Sequence, residues 1–345
     1  MLQAKLKILL IEGYEIEVIK IKRAISKNNY DYSLTLATNG DEAITFLEEN
    51  FPNIILYAIP FFILAILLEL YVTTKKHIKT YKTKDTMSSI AMGLGNVILG
   101  FASKALVLVV FFIVYNNFRL FTIPIVWWSF ILLFFIDDVS YYWFHRISHQ
   151  CRLFWASHVV HHSSQHYNLS TALRQTWSGG FYTFIFWLWL PLLGFHPAMI
   201  LLQMSVSLLY QFWIHTEAIK KLPKWFEAVF NTPSHHRVHH GSNPIYLDRN
   251  HAGILIIWDK LFGTFQPELD NEKVIYGLVT NINTYNPIKI AFTEWRQMFQ
   301  AIFTEKTSIK NRFLYLFKSP GWKHDGTGKS SEDLRNEWLK SVDRN

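Results

Sequence analysis

"LFTIPIVWWSFILLFFIDDVSYYWFHRISH" (residues 120–149) changes character halfway along its length. Up to Ile136 it is apolar and aromatic. From Asp137 onward it carries acids, tyrosines and two histidines, His145 and His149, four residues apart. An apolar run that delivers imidazoles at its end suggests a membrane body holding a polar reaction centre at its edge.

Four other stretches share the apolar half: "IILYAIPFFILAILLELYV" (54–72), "LGNVILGFASKALVLVVFFIVY" (94–115), "FYTFIFWLWLPLLGF" (181–195) and "PAMILLQMSVSLLYQFWI" (197–214). A bilayer crossing takes about 20 apolar residues, so the pattern predicts an all-α membrane protein with four to five transmembrane helices. Composition agrees, because charged residues make up only 17% of the 345, against a usual share of about 25%. The net charge of +8 comes from lysines beside apolar runs. That favours anionic lipid headgroups over nucleic acid as the partner. The linker 73–93 holds Lys75, Lys76, Lys79, Lys82 and Lys84 against Asp85, which places it in the cytoplasm by the positive-inside rule. Counting spans from there returns residue 137, and later His215, to the same face. The single cysteine, Cys151, excludes an internal disulfide and fits cytoplasmic work. The expected architecture is therefore an integral membrane protein with a cytoplasmic helical cap, its domains running 1–53, 54–300 and a cytoplasmic C-terminal tail, 301–345.

Histidines are concentrated in two blocks. Six lie in residues 145–166 and four in 235–240. The spacing is His145-x3-His149, then His158-x2-His161-His162, then His236-x2-His239-His240, with His235 adjoining. Positions three and four apart share one helix face, so each group aims imidazoles at a common point. Imidazole suits zinc, copper, iron and nickel, and one such ion takes about six ligands at most. Eight or nine converging histidines exceed that, so two metals are expected, each H-x2-H-H module giving one ion a similar set. Without cysteines in the cluster, structural zinc and iron–sulfur sites are disfavoured. His215, ending the last span in "FWIHTE", can reach the cluster from the membrane boundary, with Glu217 available to orient an imidazole. Asp138 lies on the same helical stripe as Tyr141, His145 and His149. His166, His235 and His251 lie close but fit the repeat poorly; His77, His196 and His324 fall outside it.

These residues carry a resemblance. The histidine spacing, with "YYWFHRISH" (141–149), "HHSSQHYNLSTALRQ" (161–175), "YQFWIHTE" (210–217), "NTPSHHRVHHG" (231–241) and "GILIIWDKLFGTF" (253–265), resembles the fatty acid hydroxylase and sterol desaturase superfamily, over about residues 54–300. The resemblance implies a non-haem di-iron centre on His145, His149, His158, His161, His162, His215, His236, His239 and His240. It implies a monooxygenase that uses dioxygen to hydroxylate a C–H bond of a membrane lipid. Within the superfamily the motifs are most similar to a branch that takes electrons from tetrahydrobiopterin and cleaves ether lipids to a fatty aldehyde. A sterol or fatty-acyl oxidase with a reductase as electron donor is the neighbouring alternative. A metal-binding or signalling membrane protein without turnover is the alternative of another class. Arg174 and Gln175, in "NLSTALRQ", are candidates to contact a polar cofactor. Arg146 and Arg237 either hold a phosphate or carboxylate, or snorkel to headgroups.

The N-terminus differs from the rest. "KILLIEGYEIEVIKIKRAI" and "YSLTLATNGDEAITFLEEN" each read as an apolar strand followed by an amphipathic helix, and residues 1–56 resemble a truncated response-regulator receiver domain. The phosphoacceptor aspartate expected there is replaced by Tyr57-Ala58, and Gly13-Tyr14 interrupt the acidic pocket after Glu12. A receiver needs those carboxylates for magnesium, so the segment is expected to be a remnant without phosphorelay function, whether a fused fragment or a start-site artefact.

Overall fold

In hydrocarbon a backbone must satisfy its own hydrogen bonds, which an unbroken helix does. The structure, a computed structural model, describes residues 6–11, 32–37 and 54–342. Two strands, β1 (Leu6–Ile11) and β2 (Tyr32–Ala37), pair in parallel with Leu6 opposite Tyr32. The helices expected between and after them fall outside the described residues. Two paired strands do not define a receiver, and that resemblance rests on sequence alone. The chain divides into one unit of residues 1–57 and another of 58–345.

From residue 54 the described chain is helical. Helix α1 (Ile54–Lys75) continues through Pro60, and α2 (Thr83–Phe118) carries the lysine-flanked run. These two are the helices, among the described residues, long and apolar enough to cross a membrane. Only 11% and 17% of their apolar windows are buried, and Phe61, Leu94, Ile98 and Phe101 are exposed. A core helix of a soluble protein would be covered; exposed apolar surface of this extent marks association with a membrane.

Helix α3 (Trp127–Gln150) bears the first histidines, and α4 (Arg152–His162) turns back from it at Cys151. The run 181–195, expected to be a span, is instead a series of 3-10 turns ending in the short α5 (Trp189–Leu193). The polar ends of three aromatic side chains in this run find partners on α3 and α4. The Trp187 indole donates to Asp137 at 2.8 Å, the Trp189 indole to Ser140 at 3.0 Å, and the Tyr182 hydroxyl to Ser157 at 2.8 Å. The segment closes at Gly194, φ 107°, where a Cβ would stand 2.1 Å from the Phe121 carbonyl oxygen. Helix α6 (Pro197–Trp213) follows. Phe111, Leu133, Leu190, Phe195 and Ile200 form the core joining α2, α3, α5 and α6.

Short helices complete the cap: α7 (Lys224–Val229), α8 (Pro233–His239) and α9 (Ile257–Leu261). Then come α10 (Pro287–Thr304), α11 (Ile309–Phe317) and α12 (Ser331–Val342). The last two belong to the expected tail, yet they are joined to the body. The Arg152 amide donates to the Lys318 carbonyl at 3.0 Å, and Trp338 packs on the cluster of Val238, Ile245 and Tyr246 beneath α8.

Candidate metal centre

On α3, His145 and His149 are one turn apart and share a face, as do His158 and His162 on α4. The neighbouring His161 points about 100° away from His162. The same offset recurs around α8, where His236 and His240 pair while His239 points elsewhere. Three helices therefore meet with two separate sets of imidazoles. His145, His149, His158, His162 and His239 form one set; His161, His215, His236 and His240 form the other, and within each set the ligand nitrogens lie within 4.8 Å of one another. The expectation that each H-x2-H-H module serves one ion is corrected by this geometry. Each module sends two imidazoles to one set and one to the other, because consecutive helical residues cannot face the same point.

The tautomers follow from the hydrogen bonds. A carbonyl oxygen only accepts, so an imidazole nitrogen facing one must carry the proton. The Nδ1 atoms of His145, His161, His215 and His239 face the carbonyls of His251 (2.8 Å), Arg174 (3.3 Å), Gln211 (2.7 Å) and Arg249 (2.9 Å). Their Nε2 atoms therefore present bare lone pairs when the rings are neutral. Burial pushes the pKa values down, to about 4 for His161, beside the Arg174 cation, and to about 3 for His239, beside His161, so these rings are neutral at pH 7. Yet the Nε2 atoms of His161 and His215 stand 3.1 Å apart. Two lone pairs at that distance repel unless a cation lies between them. In the other set, the Nε2 of His158 meets those of His145 at 3.0 Å and His162 at 3.1 Å. The buried Nε2 atoms of His149, His239 and His240 have no hydrogen-bond partner at all. Nitrogens held about 2.1 Å from one metal ion at right angles are themselves about 3 Å apart, so the donor sets fit two ions.

The surroundings hold the rings in place. His149 Nδ1 lies 3.1 Å from the Asp248 carboxylate. Asp248 and Asn250 both take left-handed backbone, φ 53° and 56°, a conformation that Asp and Asn tolerate best among residues with a Cβ. Between them the chain presents the Arg249 carbonyl to His239. Asn250 is pinned by the His235 and Gln266 carbonyls. Asp138 makes no hydrogen bond to an imidazole. It accepts from the amides of Ile254 and Leu255 and the Trp258 indole, at 2.8–2.9 Å. Asp259 accepts from the amides of His251 and Ala252. The two acids thereby fix the loop whose His251 carbonyl orients His145.

The other sequence candidates separate clearly. Arg174 is 1% exposed and is bonded to Asp85 (2.7 Å), Ser89 and Ser163, so the protein engages four of its five N–H donors. The Gln175 side-chain amide donates to the Ala172 carbonyl. Arg237 neither snorkels nor waits for an anion. It grips Glu268 through two bonds (2.8 and 2.6 Å) and three backbone carbonyls of residues 216–220. Arg146 donates to the Tyr142 hydroxyl and lies over Trp143. Glu217 makes no bond to an imidazole and instead neighbours Tyr276. His235 is buried against Phe265, outside both sets. His251 is buried beside His145, His149 and His239 but belongs to neither set, and His166 stands apart from them. Sequence reading missed Asp248 and the Arg249 carbonyl, because both reach the site through a loop that has no periodicity.

Fold and site together define a protein of exposed apolar helices and a buried, all-histidine centre fitted to two metal ions. The family model described as Fatty acid hydroxylase matches residues 130–264, which span both sets. The chain is 42% identical over 293 residues to the alkylglycerol monooxygenase of Homo sapiens, covering 84% of this chain and 64% of that protein. It is 42% identical to that of Danio rerio, over 79% of this chain and 61% of that one, and 36% identical to that of Caenorhabditis elegans, over 71% and 50%. The chain thus spans less than two thirds of the length of these relatives. No solved structure matches it.

Proposed function

We propose that this protein is a membrane-bound, non-haem di-iron monooxygenase that hydroxylates a lipid C–H bond, with alkylglycerol ethers as substrate. The observation that carries the reading is the pair of inward-facing imidazole sets, five and four strong, inside the stretch that the fatty acid hydroxylase model matches, in a chain whose relatives are alkylglycerol monooxygenases. His145, His149, His158, His162 and His239 hold one iron; His161, His215, His236 and His240 hold the other. When bound, the irons supply dioxygen activation, with tetrahydrobiopterin as the electron donor. The protein keeps the imidazoles neutral by burial, fixes their tautomers through backbone carbonyls and Asp248, and excludes water from the ligand nitrogens. Hydroxylation of the alkyl carbon beside the ether oxygen gives a hemiacetal, which collapses to a fatty aldehyde and a glycerol derivative. The histidine sets face the cytoplasm in this account, following the lysines of the 73–93 linker.

The test is aldehyde formation by membranes containing the protein. Alkylglycerol, sterol and free fatty acid are each supplied with tetrahydrobiopterin, with a ferredoxin system, or with neither. Aldehyde from the ether with pterin is expected. Turnover of sterol with ferredoxin and none of the ether would move the assignment to a sterol or fatty-acyl oxidase. Residues 1–53 are a receiver remnant without a part in this reaction; full loss of activity on deleting residues 1–50 from a normally inserted protein would contradict that.

A further inference from the structure

Helix α10 has three sectors. Ile290, Ala291 and Met298 are buried, the first two in a cluster with Met92 of α2 and Val160 of α4. A second stripe, at spacings of four, seven and four residues, holds Ile288, Phe292, Phe299 and Phe303, between 45% and 71% exposed. By helical periodicity Lys289 and Arg296 fall at the edge of that stripe, and Gln297 and Gln300 lie beyond them. Helix α11 repeats the arrangement, with Tyr315 buried and Ile309, Phe313 and Phe317 exposed at intervals of four, 57–75%. A soluble surface does not gather large apolar side chains into continuous stripes.

We infer that the exposed faces of α10 and α11 lie in the interface of an anionic lipid bilayer. Two observations select lipid as the occupant. Residues 287–318 contain six basic side chains (Lys289, Arg296, Lys306, Lys310, Arg312, Lys318) against two acids, Glu294 and Glu305, and Glu294 is already paired with Arg152 at 2.8 Å. An apolar stripe flanked by cations is the pattern of an interfacial helix. The second is continuity: α10 packs on α2 at Met92, within the run of exposed apolar residues Met87, Ile90, Leu94, Val97 and Ile98. The amphipathic helix thus meets the candidate span along its exposed apolar surface. This part of the chain is then not a free tail but a ledge on which the histidine-bearing helices rest, since α10 packs against α4 through Ile290, Ala291 and Val160.

The inference rests on the membrane reading of α2, and the test separates the two. The lone cysteine, Cys151, is buried, so the wild-type chain serves as the unlabelled background. Spin labels are placed singly at Phe303→Cys, Phe313→Cys, Gln297→Cys and, on α2, Phe101→Cys, in the full chain in vesicles of phosphatidylserine and phosphatidylcholine. The expected result is high oxygen accessibility with a several-fold loss of nickel-chelate accessibility at 303 and 313 relative to 297. Vesicles of phosphatidylcholine alone should shrink that loss. Nickel accessibility at 303 and 313 equal to that at 297, with 101 still in lipid, overturns the inference and leaves the span standing. Low accessibility to both reagents at 303 and 313 also overturns it, since another protein surface would then cover them. Water-like values at all four positions remove the span as well.

Discussion

The two imidazole sets share α4 and α8 but are not equivalent. The five-membered set takes His145 and His149 from α3, which the four-membered set does not touch, and it alone has a side-chain carboxylate, Asp248, on one of its rings. The four-membered set takes His215 from the end of α6, and His161 and His215 are steered by backbone carbonyls. One set therefore has a ligand to spare and an orienting acid. The other has neither. The difference teaches that equal motifs in sequence need not give equal sites: the two H-x2-H-H modules are split between the sets, and what distinguishes the sets is the helix that supplies the remaining ligands.

The largest expected effect lies there. His236→Ala leaves three imidazoles in its set, and metal content should fall from about two ions per chain toward one, with loss of activity. His149→Ala leaves four in the other set, so both ions should be retained with reduced turnover; His239→Ala, which also leaves four but removes a ring that lies against the second set as well, should lose most activity. Equal metal loss in His236→Ala and His149→Ala, measured by elemental analysis, would break the comparison.

Next in size is Arg174→Met. It strands the buried Asp85 beside the His161 loop, and breaking a buried pair costs about 3–5 kcal/mol. A lowered unfolding midpoint in detergent is expected, partly restored by adding Asp85→Leu. A stable Arg174→Met protein with a raised KM for tetrahydrobiopterin would instead return Arg174 to a cofactor-binding role. A smaller effect is expected of Asp248→Asn, because losing the orienting partner of a ligand typically weakens metal binding about 10–100-fold. Chelator titration should show that one ion leaves more readily while the other is unchanged. For the four-membered set the corresponding change, Gln211→Ala, should do nothing to metal affinity, since His215 is held by the main-chain carbonyl of that residue.

Much of the site was legible in the sequence. Eight of the nine histidines stand out by spacing and His215 by its place at the end of an apolar run, and a surplus over one ion's capacity points to two. Their partition was not legible, because it depends on how α4 and α8 cross, and Asp248 was hidden because a loop brings it to His149 across 99 residues of chain. The same limit explains the fold. Hydropathy alone found α1 and α2, whose faces are exposed. It misread 181–195, where Tyr182, Trp187 and Trp189 are fastened by their polar ends to α3 and α4. Arg237 and Asp138 show the converse. Both lie in or beside the histidine motifs, yet their hydrogen bonds run to loops, so they shape the centre from outside it.

The central claim is that the nine imidazoles hold two ions, one in each set. The most direct test is the metal content of protein purified anaerobically, by elemental analysis against amino-acid analysis of the same sample. The account predicts close to two iron atoms per chain for the intact protein. One ion per chain, with all nine histidines present and the protein active, would contradict it.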